Sequence, residues 1–248
     1  MELITSRKNK AIVHMKRLCA DRNYRRMHGE FVCEGKKLLR EALTANAEIT
    51  RLFVSEKDAV EVPGLREQYA VKDELAGYIS ALKNSPGPVF SVRIRKIRAP
   101  RTVIRAIILD GVADPGNTGT VIRTAEALKV DAVVLIGACA DPYGPKAVRA
   151  TMGAIFRQYI IETDIAGLAE FLRIHGLKLL GAEAAPGARD IRETELKNAA
   201  VAVGNEGGGI SGELRELCGG FVAVPINPDC ESLNAAVAAA VIMWEGCR

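Results

Sequence analysis

The chain has 248 residues, of which 48% are apolar and 26% charged, so it can bury one large core or two modest ones. This composition is ordinary for a soluble globular protein, and no apolar run approaches the roughly 20 residues that span a bilayer. The net charge is only +4 and the first residues lack the apolar segment of a secretion signal, so we expect a cytoplasmic protein with no membrane partner.

The first part of the chain predicts a small α/β unit. Apolar spacing predicts, in chain order, a helix within residues 1–20, a strand at 31–33, a helix carrying Leu38, Leu39 and Ala42, strands at 49–54 and 69–71, a helix at 72–82 and a strand at 89–94. The segment 84–88, which reads Asn-Ser-Pro-Gly-Pro, predicts a turn before the last strand.

Positive charge is concentrated in this part of the chain. Residues 1–40 contain eleven Lys or Arg against four acidic residues, and a second cluster from Arg93 to Arg105 contains no acid. Clustered cations suit a polyanion because neutralising phosphates releases counterions, so two clusters favour a phosphate-rich partner over a merely solvated surface. The basic stretch 95–101 is the best linker candidate, which predicts one domain over residues 1–97 and another over 98–248.

Beyond that boundary, apolar runs alternate with helical patterns. The runs lie at residues 103–109, 132–136, 177–180, 199–203 and 221–224, and the helical patterns at 120–128, 145–150, 166–175, 211–217 and 235–244. Strands that are buried on both faces and alternate with helices predict a parallel sheet. Because ligands bind at the carboxyl ends of such strands, the loops that follow the runs are the candidate sites.

The first such loop, residues 110–120, contains an Asp-Pro-Gly-Asn turn and leads into a helix that Asn117 or Thr118 is suited to cap. Arg123 is expected near the start of that helix, where the helix dipole does not favour a cation. This position leaves a functional and a structural interpretation of Arg123 equally open.

The other two loops are unusual in different ways. Residues 204–209 include four glycines, which let a ligand approach the backbone, but the chain has neither a G-x-G-x-x-G fingerprint nor a Gly-Lys-Ser/Thr phosphate loop. This loop therefore suits a ligand held by backbone groups. Residues 224–234 form a long polar loop before an alanine-rich helix, which Ser232 is placed to cap.

In order and spacing, these three loops resemble the three motifs of the SpoU (TrmH) family of RNA 2′-O-methyltransferases, in the SPOUT superfamily. The matching segments are Asp110-Gly111 through Asp114-Pro115-Gly116-Asn117-Thr118-Gly119 to Arg123-Thr124-Ala125, then Gly204-Asn205-Glu206-Gly207, then Val224-Pro225 with Ser232-Leu233-Asn234-Ala235. Residues 146–154 also match, with Thr151 where a serine is more usual, and residues 4–35 are similar to the family's substrate-binding domain. The resemblance covers nearly the whole chain.

This resemblance implies an N-terminal L30e-like α/β domain that binds RNA and a C-terminal SPOUT parallel-sheet domain with a deep trefoil knot. The last helix would thread through the loops after residues 203 and 224. The resemblance also implies a homodimer through the knot region, and S-adenosyl-L-methionine held by backbone at Gly204, Val224, Ile226 and Leu233. The sulfonium of this cofactor makes its methyl group electrophilic, so we expect no metal, and six scattered cysteines and three distant histidines predict none.

By the same resemblance, the catalytic residues are Asn117, Arg123, Glu206, Ser232 and Asn234. We expect Arg123 to bind phosphate and orient the reacting hydroxyl, and we leave open its role as a base, since a guanidinium is hard to deprotonate. The predicted RNA-binding residues are Arg25 and, from the second domain, Arg149.

The expected activity is transfer of a methyl group to a ribose 2′-hydroxyl of structured RNA. The separate N-terminal domain favours ribosomal RNA. One alternative is a transfer-RNA substrate, and a second is a non-catalytic RNA-binding protein on the same fold, against which the intact polar set argues. A third, a nucleotide-dependent oxidoreductase on an ordinary doubly wound sheet, is disfavoured by the missing G-x-G-x-x-G.

Overall fold

A computed structural model describes residues 1–56, 60–81, 87–95, 97 and 99–248. By their contacts they form two compact units, one comprising Met1–Lys96 with Asp141–Phe156 and the other Ile97–Ala140 with Arg157–Arg248. The segment 141–156, which the sequence placed in the second domain, therefore belongs to the first unit. Within the described residues, no helix is long and apolar enough to cross a membrane.

The elements up to residue 95 form most of the first unit. They are β1 (Glu2–Ile4), α1 (Lys10–Ala20), α2 (Arg22–His28), β2 (Glu30–Glu34), α3 (Lys36–Thr44), β3 (Ile49–Ser55), β4 (Gln68–Val71), α4 (Asp73–Ile79) and β5 (Val89–Arg93). The sheet order is β1-β4-β3-β5-β2, with β4 parallel to both its neighbours and β5 antiparallel to both of its own.

The predicted strands and helices of this unit are confirmed within a few residues, but α2 and β1 were missed. Helix α2 has a mostly polar sequence with no apolar stripe, so only the residues at its two ends indicate a helix. Asp21 accepts a hydrogen bond from the backbone N–H of Tyr24, and Gly29 ends the helix with a left-handed φ of 61°. Strand β1 is too short to show a period. Residues 84–86 of the predicted turn, Leu82 of the predicted helix, and Lys96 and Arg98 of the basic stretch lie outside the described residues.

The elements beyond residue 99 follow the predicted alternation. They are β6 (Arg105–Asp110), α5 (Pro115–Ala127), β7 (Ala132–Ile136), α6 (Pro145–Thr151), β8 (Ile160–Glu162), α7 (Ile165–His175), β9 (Lys178–Ala182), β10 (Arg189–Asp190), β11 (Ala199–Val203), α8 (Gly212–Leu217), β12 (Phe221–Ala223) and α9 (Ala235–Glu245). Of these, α6 belongs to the first unit and the others to the second.

The sheet of the second unit is entirely parallel, in the order β10-β12-β9-β11-β6-β7-β8, which confirms the predicted parallel sheet. Strands β7 and β11 are buried along their whole length, so their sequences are continuous apolar runs. The short strands β8 and β10 were missed because neither is a sustained apolar run. The parallel arrangement brings the ends of β9, β11 and β6 to the same edge.

Two predicted helix caps were wrong. Helix α5 begins at Pro115, because the Asp114 carboxylate accepts from the backbone N–H of Asn117 at 2.9 Å and Pro115 presets the first helical φ. Helix α9 is capped by Asn234, which accepts from the N–H groups of Ala236 and Val237, and not by Ser232. The earlier start of α5 puts Arg123 well inside the helix, so the dipole argument about that residue no longer applies.

Candidate active site

A cavity of about 310 Å³ lies in the second unit, at the carboxyl ends of β9, β11 and β12. Its walls come from the residues after these strands and from the inner face of α9, where Ala235, Ala238 and Ile242 line it. All four residues predicted to bind the cofactor line this cavity, namely Gly204, Val224, Ile226 and Leu233. The glycine-rich loop and the loop before α9 thus form one pocket, as the sequence predicted.

The glycine-rich loop folds back on itself at the mouth of this cavity. Asn205 and Gly209 exchange backbone hydrogen bonds of 3.0 and 2.9 Å, and Gly209 has a left-handed φ of 63°. A Cβ at position 204 would lie 2.1 Å from the backbone of Gly209, a contact that no side chain tolerates. Position 204 therefore requires glycine, and the turn presents backbone to whatever fills the cavity.

Three predicted catalytic residues form one hydrogen-bond network in the second unit. The side-chain amide of Asn117, in the first turn of α5, donates to the Glu206 carboxylate, and its carbonyl accepts from the Asn234 side chain at 3.2 Å. Glu206 lines the cavity, as does a fourth predicted residue, Ser232. The structure thus brings residues from all three motifs to one place.

The fifth predicted residue, Arg123, lies elsewhere. It is exposed and does not line the cavity of its own chain, although the sequence interpretation has it beside the reacting hydroxyl. It borders a shallow apolar groove between α5 and α9 that Leu128, Val241 and Trp244 also line. Trp244 is 61% exposed in this groove.

The charge of the cavity is a feature that sequence reasoning missed. Among the residues that the structure describes, three glutamates line it, Glu183, Glu206 and Glu231, and no Lys or Arg does. Glu183 pairs with Arg215, whose guanidinium lies over the Phe221 ring. Because Arg215 neutralises Glu183, the negative charge that favours a cationic ligand comes from Glu206 and Glu231. Glu183 and Glu231 lie outside the recognised motifs, so no sequence signal identified them.

Two cysteines of the second unit, Cys139 and Cys218, are structural rather than reactive thiols. Burial raises the pKa of the Cys139 thiol and of the Cys218 thiol, which keeps both protonated. Among the residues that the structure describes, no group of three or more His, Cys, Asp or Glu is placed to hold a metal ion.

The two predicted RNA-binding residues, both in the first unit, differ in exposure. Arg149 on α6 is exposed, whereas Arg25 on α2 is 5% exposed. The Arg25 guanidinium donates from Nε and one terminal nitrogen to Asp141 at 2.9 and 2.6 Å, and from the other terminal nitrogen to the carbonyls of Leu18 and Cys19. With these donors already bonded inside the protein, the expected phosphate contact of Arg25 is corrected to a structural role that fastens segment 141–156 to the first unit.

The other cations of the N-terminal cluster, except the half-buried Lys16, remain at the surface. The exposed members are Arg7, Lys8, Lys10, Arg17, Arg22, Arg26, Lys36, Lys37 and Arg40. Arg22 and Arg26 lie on the same helix as Arg25 and are exposed where Arg25 is buried. The positive charge that suggested a polyanion partner therefore lies on the surface of the first unit. On α2 it is carried by Arg22 and Arg26 and not by Arg25.

Comparison with known proteins gives consistent matches. Residues 105–244 match the model of the SpoU rRNA Methylase family, and residues 9–89 match the MRM3-like substrate binding domain. The chain is 30% identical to the 23S rRNA (guanosine(2553)-2′-O)-methyltransferase RlmP of Bacillus subtilis (strain 168), over 98% of each chain.

Solved structures with the same fold include two that contain the methyl donor. The AdoMet-bound rRNA methyltransferase from Sinorhizobium meliloti superposes with a TM-score of 0.87 at 26% identity, covering 99% of this chain and 97% of that one. The SpoU methyltransferase AviRb from Streptomyces viridochromogenes, in complex with AdoMet, gives a TM-score of 0.86 at 26% identity and 97% coverage of both chains.

Proposed function

The chain belongs to the SpoU rRNA methylase family, and from that membership we propose that it transfers a methyl group from S-adenosylmethionine to a ribose 2′-hydroxyl of ribosomal RNA. The observation that carries this function is the shared pocket. Residues of the glycine-rich loop and of the loop before α9 line one cavity, and Asn117, Glu206 and Asn234 are hydrogen-bonded together beside it.

The residues of the cavity fit this methyl donor. The cavity volume of about 310 Å³ lies within the range of small-molecule sites. The side chains of Val203, Val224, Ile226 and Leu233 supply apolar walls for an adenosine. The turn is tightly closed at Gly204, where the Gly209 backbone packs, and both glycines line the cavity. When bound, the donor supplies a methyl carbon made electrophilic by a sulfonium, and Glu206 and Glu231, which line the cavity, favour that positive charge.

The side chains of the site orient the RNA hydroxyl. Asn117 has its donor on Glu206 and its acceptor on Asn234, so its orientation is fixed between the glycine-rich loop and the N-terminus of α9. The Glu206 carboxylate accepts a hydrogen bond from this amide, and its remaining lone pairs can accept a hydrogen bond from the ribose hydroxyl. Holding the nucleophile in line with the methyl carbon supplies much of the rate enhancement without a metal.

We assign the apolar groove between α5 and α9 to a homodimer interface. Val241 and Trp244 of α9 are exposed there, Val237 is exposed one turn earlier on the same helix, and a second copy of the chain would cover all three. Arg123 borders this groove and not its own cavity, so we assign it to act across the interface on RNA bound to the partner copy. We also propose that α9 threads the loops after residues 203 and 224 as a trefoil knot, since both loops and α9 contribute to one cavity.

The first unit is proposed to bind the RNA, since it matches a substrate binding domain and exposes the basic surface of α1 to α3. A ribosomal substrate is favoured over a transfer RNA because similarity to proteins named for ribosomal RNA extends over both units.

Titration calorimetry with S-adenosylmethionine and with NADH tests this function, followed by methyl transfer to ribosomal RNA and to transfer RNA. We expect binding of S-adenosylmethionine alone and transfer to ribosomal RNA. Binding of NADH would support the oxidoreductase instead, and binding of S-adenosylmethionine with no transfer to RNA would support a non-catalytic protein.

A further inference from the structure

Asn205, which precedes Glu206 in the glycine-rich loop, uses both ends of its side-chain amide within the protein. Its nitrogen donates to the backbone carbonyl of Gly111 at 2.8 Å, and its oxygen accepts from the backbone N–H of Gly207 at 2.8 Å. The first bond joins the loop after β11 to the loop after β6, and the second shapes the turn that carries Glu206.

A second link fastens the far end of the same loop. The backbone N–H of Ser211 donates to the carboxylate of Asp110 at 2.7 Å, and Asp110 is 6% exposed at the end of β6. Both ends of the glycine-rich loop are thus hydrogen-bonded to residues 110 and 111 at the end of β6. The Asn205 side chain bonds to the Gly111 backbone, and the Ser211 backbone bonds to the Asp110 side chain.

This double attachment controls where Glu206 lies. Glu206 sits in the turn that Asn205 and Gly209 close, and its carboxylate accepts from Asn117. Asn117 itself is placed by the Asp114 cap, three residues after Gly111. The Asn205–Gly111 bond is therefore a direct connection between the loop that holds Glu206 and the loop that leads to Asn117.

We infer that Asn205 is a positioning residue for methyl transfer. It holds the Glu206 carboxylate within hydrogen-bonding distance of Asn117. This inference rests on the proposed function and deepens it. Because both polar groups of Asn205 are bonded within the protein, its contribution to the reaction comes through Glu206. A displacement of about 1 Å at such a group can cost on the order of 10²-fold in rate.

The test is a double-mutant cycle with single-turnover methyl transfer as the measurement. Asn205→Asp keeps the size and the acceptor toward Gly207 but puts an oxygen where the donor to Gly111 was. Asn205→Ser keeps an acceptor toward Gly207 and is too short to reach Gly111. Asn198→Asp, at the other end of β11 and exposed, is the matched control for added charge. Each is made in the wild-type chain and in Glu206→Ala.

If Asn205 acts through Glu206, either substitution lowers the transfer rate by about 10- to 10²-fold in the wild-type chain and by less than about 3-fold in Glu206→Ala. The dissociation constant of S-adenosylmethionine changes less than the rate, melting temperatures verify folding, and Asn198→Asp is neutral. Equal rate losses in both backgrounds, or no loss in the wild-type chain, would overturn the positioning role while leaving the proposed function intact. Failure of the wild-type chain to transfer methyl groups at all would overturn both.

Discussion

The side-chain amide of Asn117 donates to the carboxylate of Glu206, 89 residues further along the chain. This bond joins the first turn of α5 to the glycine-rich loop after β11, and the Asn234 side chain extends it to the start of α9. Three loops that are distant in sequence thereby become one site, and the geometry of that site depends on the turns that hold each loop.

The first prediction concerns the glycine-rich turn. Gly204→Ala should abolish binding of S-adenosylmethionine, because the new Cβ would lie 2.1 Å from the Gly209 backbone and the turn would have to open. Gly208→Ala is the matched control, since a Cβ there meets nothing within 4 Å. Calorimetry should give near wild-type affinity for the control. Unchanged affinity in Gly204→Ala would show that this turn does not shape the cofactor site.

The second prediction separates the structural from the RNA-binding cations of α2. Arg25→Ala should lower the free energy of unfolding by about 3–5 kcal/mol, because it leaves the Asp141 carboxylate unpaired at 11% exposure. Arg22→Ala, which alters an exposed neighbour, should leave stability nearly unchanged but weaken RNA binding and reduce the salt slope by about one. A stable Arg25→Ala protein with a reduced salt slope would restore the interpretation that Arg25 binds phosphate.

The third prediction concerns the buried carboxylate of Glu30 in β2. Burial alone would raise the pKa of this group, but the hydrogen bond from His14, the charge of Arg51 and the hydrogen bond from Thr50 outweigh it and lower the pKa from 4.5 to about 2. A pKa lowered in the folded state contributes stability above pH 4.5 that is lost as the pH falls toward 2, here on the order of 3 kcal/mol.

Chemical denaturation between pH 7 and 2 measures this contribution. Glu30→Gln should be less stable at pH 7 and should lose less stability than the wild type below pH 4.5. Glu67→Gln is the control, because Glu67 pairs with the same Arg51 but is 43% exposed. Identical pH profiles for Glu30→Gln and the wild type would contradict the assignment.

The fourth prediction tests the groove between α5 and α9. Trp244→Glu should convert a dimer to a monomer and remove methyl transfer, because it places a charge in the apolar interface, whereas Trp244→Phe should keep both. Light scattering coupled to gel filtration measures the mass directly. A monomeric wild-type protein that transfers methyl groups at micromolar concentration would exclude the assigned interface and the role of Arg123 across it.

Much of this site was predictable because its motif residues occur in a fixed order at strand ends. The resemblance of that ordered set to the SpoU motifs identified the two loops of the cavity and six of its lining residues before any coordinates. The parallel sheet was also predictable, because strands that are buried on both faces have unbroken apolar sequences.

Other features required the structure. Several polar residues in each loop could cap a helix, and only the backbone selects Asp114 and Asn234 over Asn117 and Ser232. A count of charges cannot show that Arg25 is buried against an aspartate 116 residues away. The contacts of Asn205 likewise depend on two turns whose approach no local pattern reveals.

The most direct measurement is mass-spectrometric mapping of ribosomal RNA after incubation with the purified protein and S-adenosylmethionine that carries a labelled methyl group. The wild-type chain should place the label on the 2′-oxygen of a single ribose, and Glu206→Ala should reduce the yield by about 10²-fold or more while it still binds the cofactor. Label on a base, or an equal yield from Glu206→Ala, would contradict the assignment of this pocket to ribose methylation.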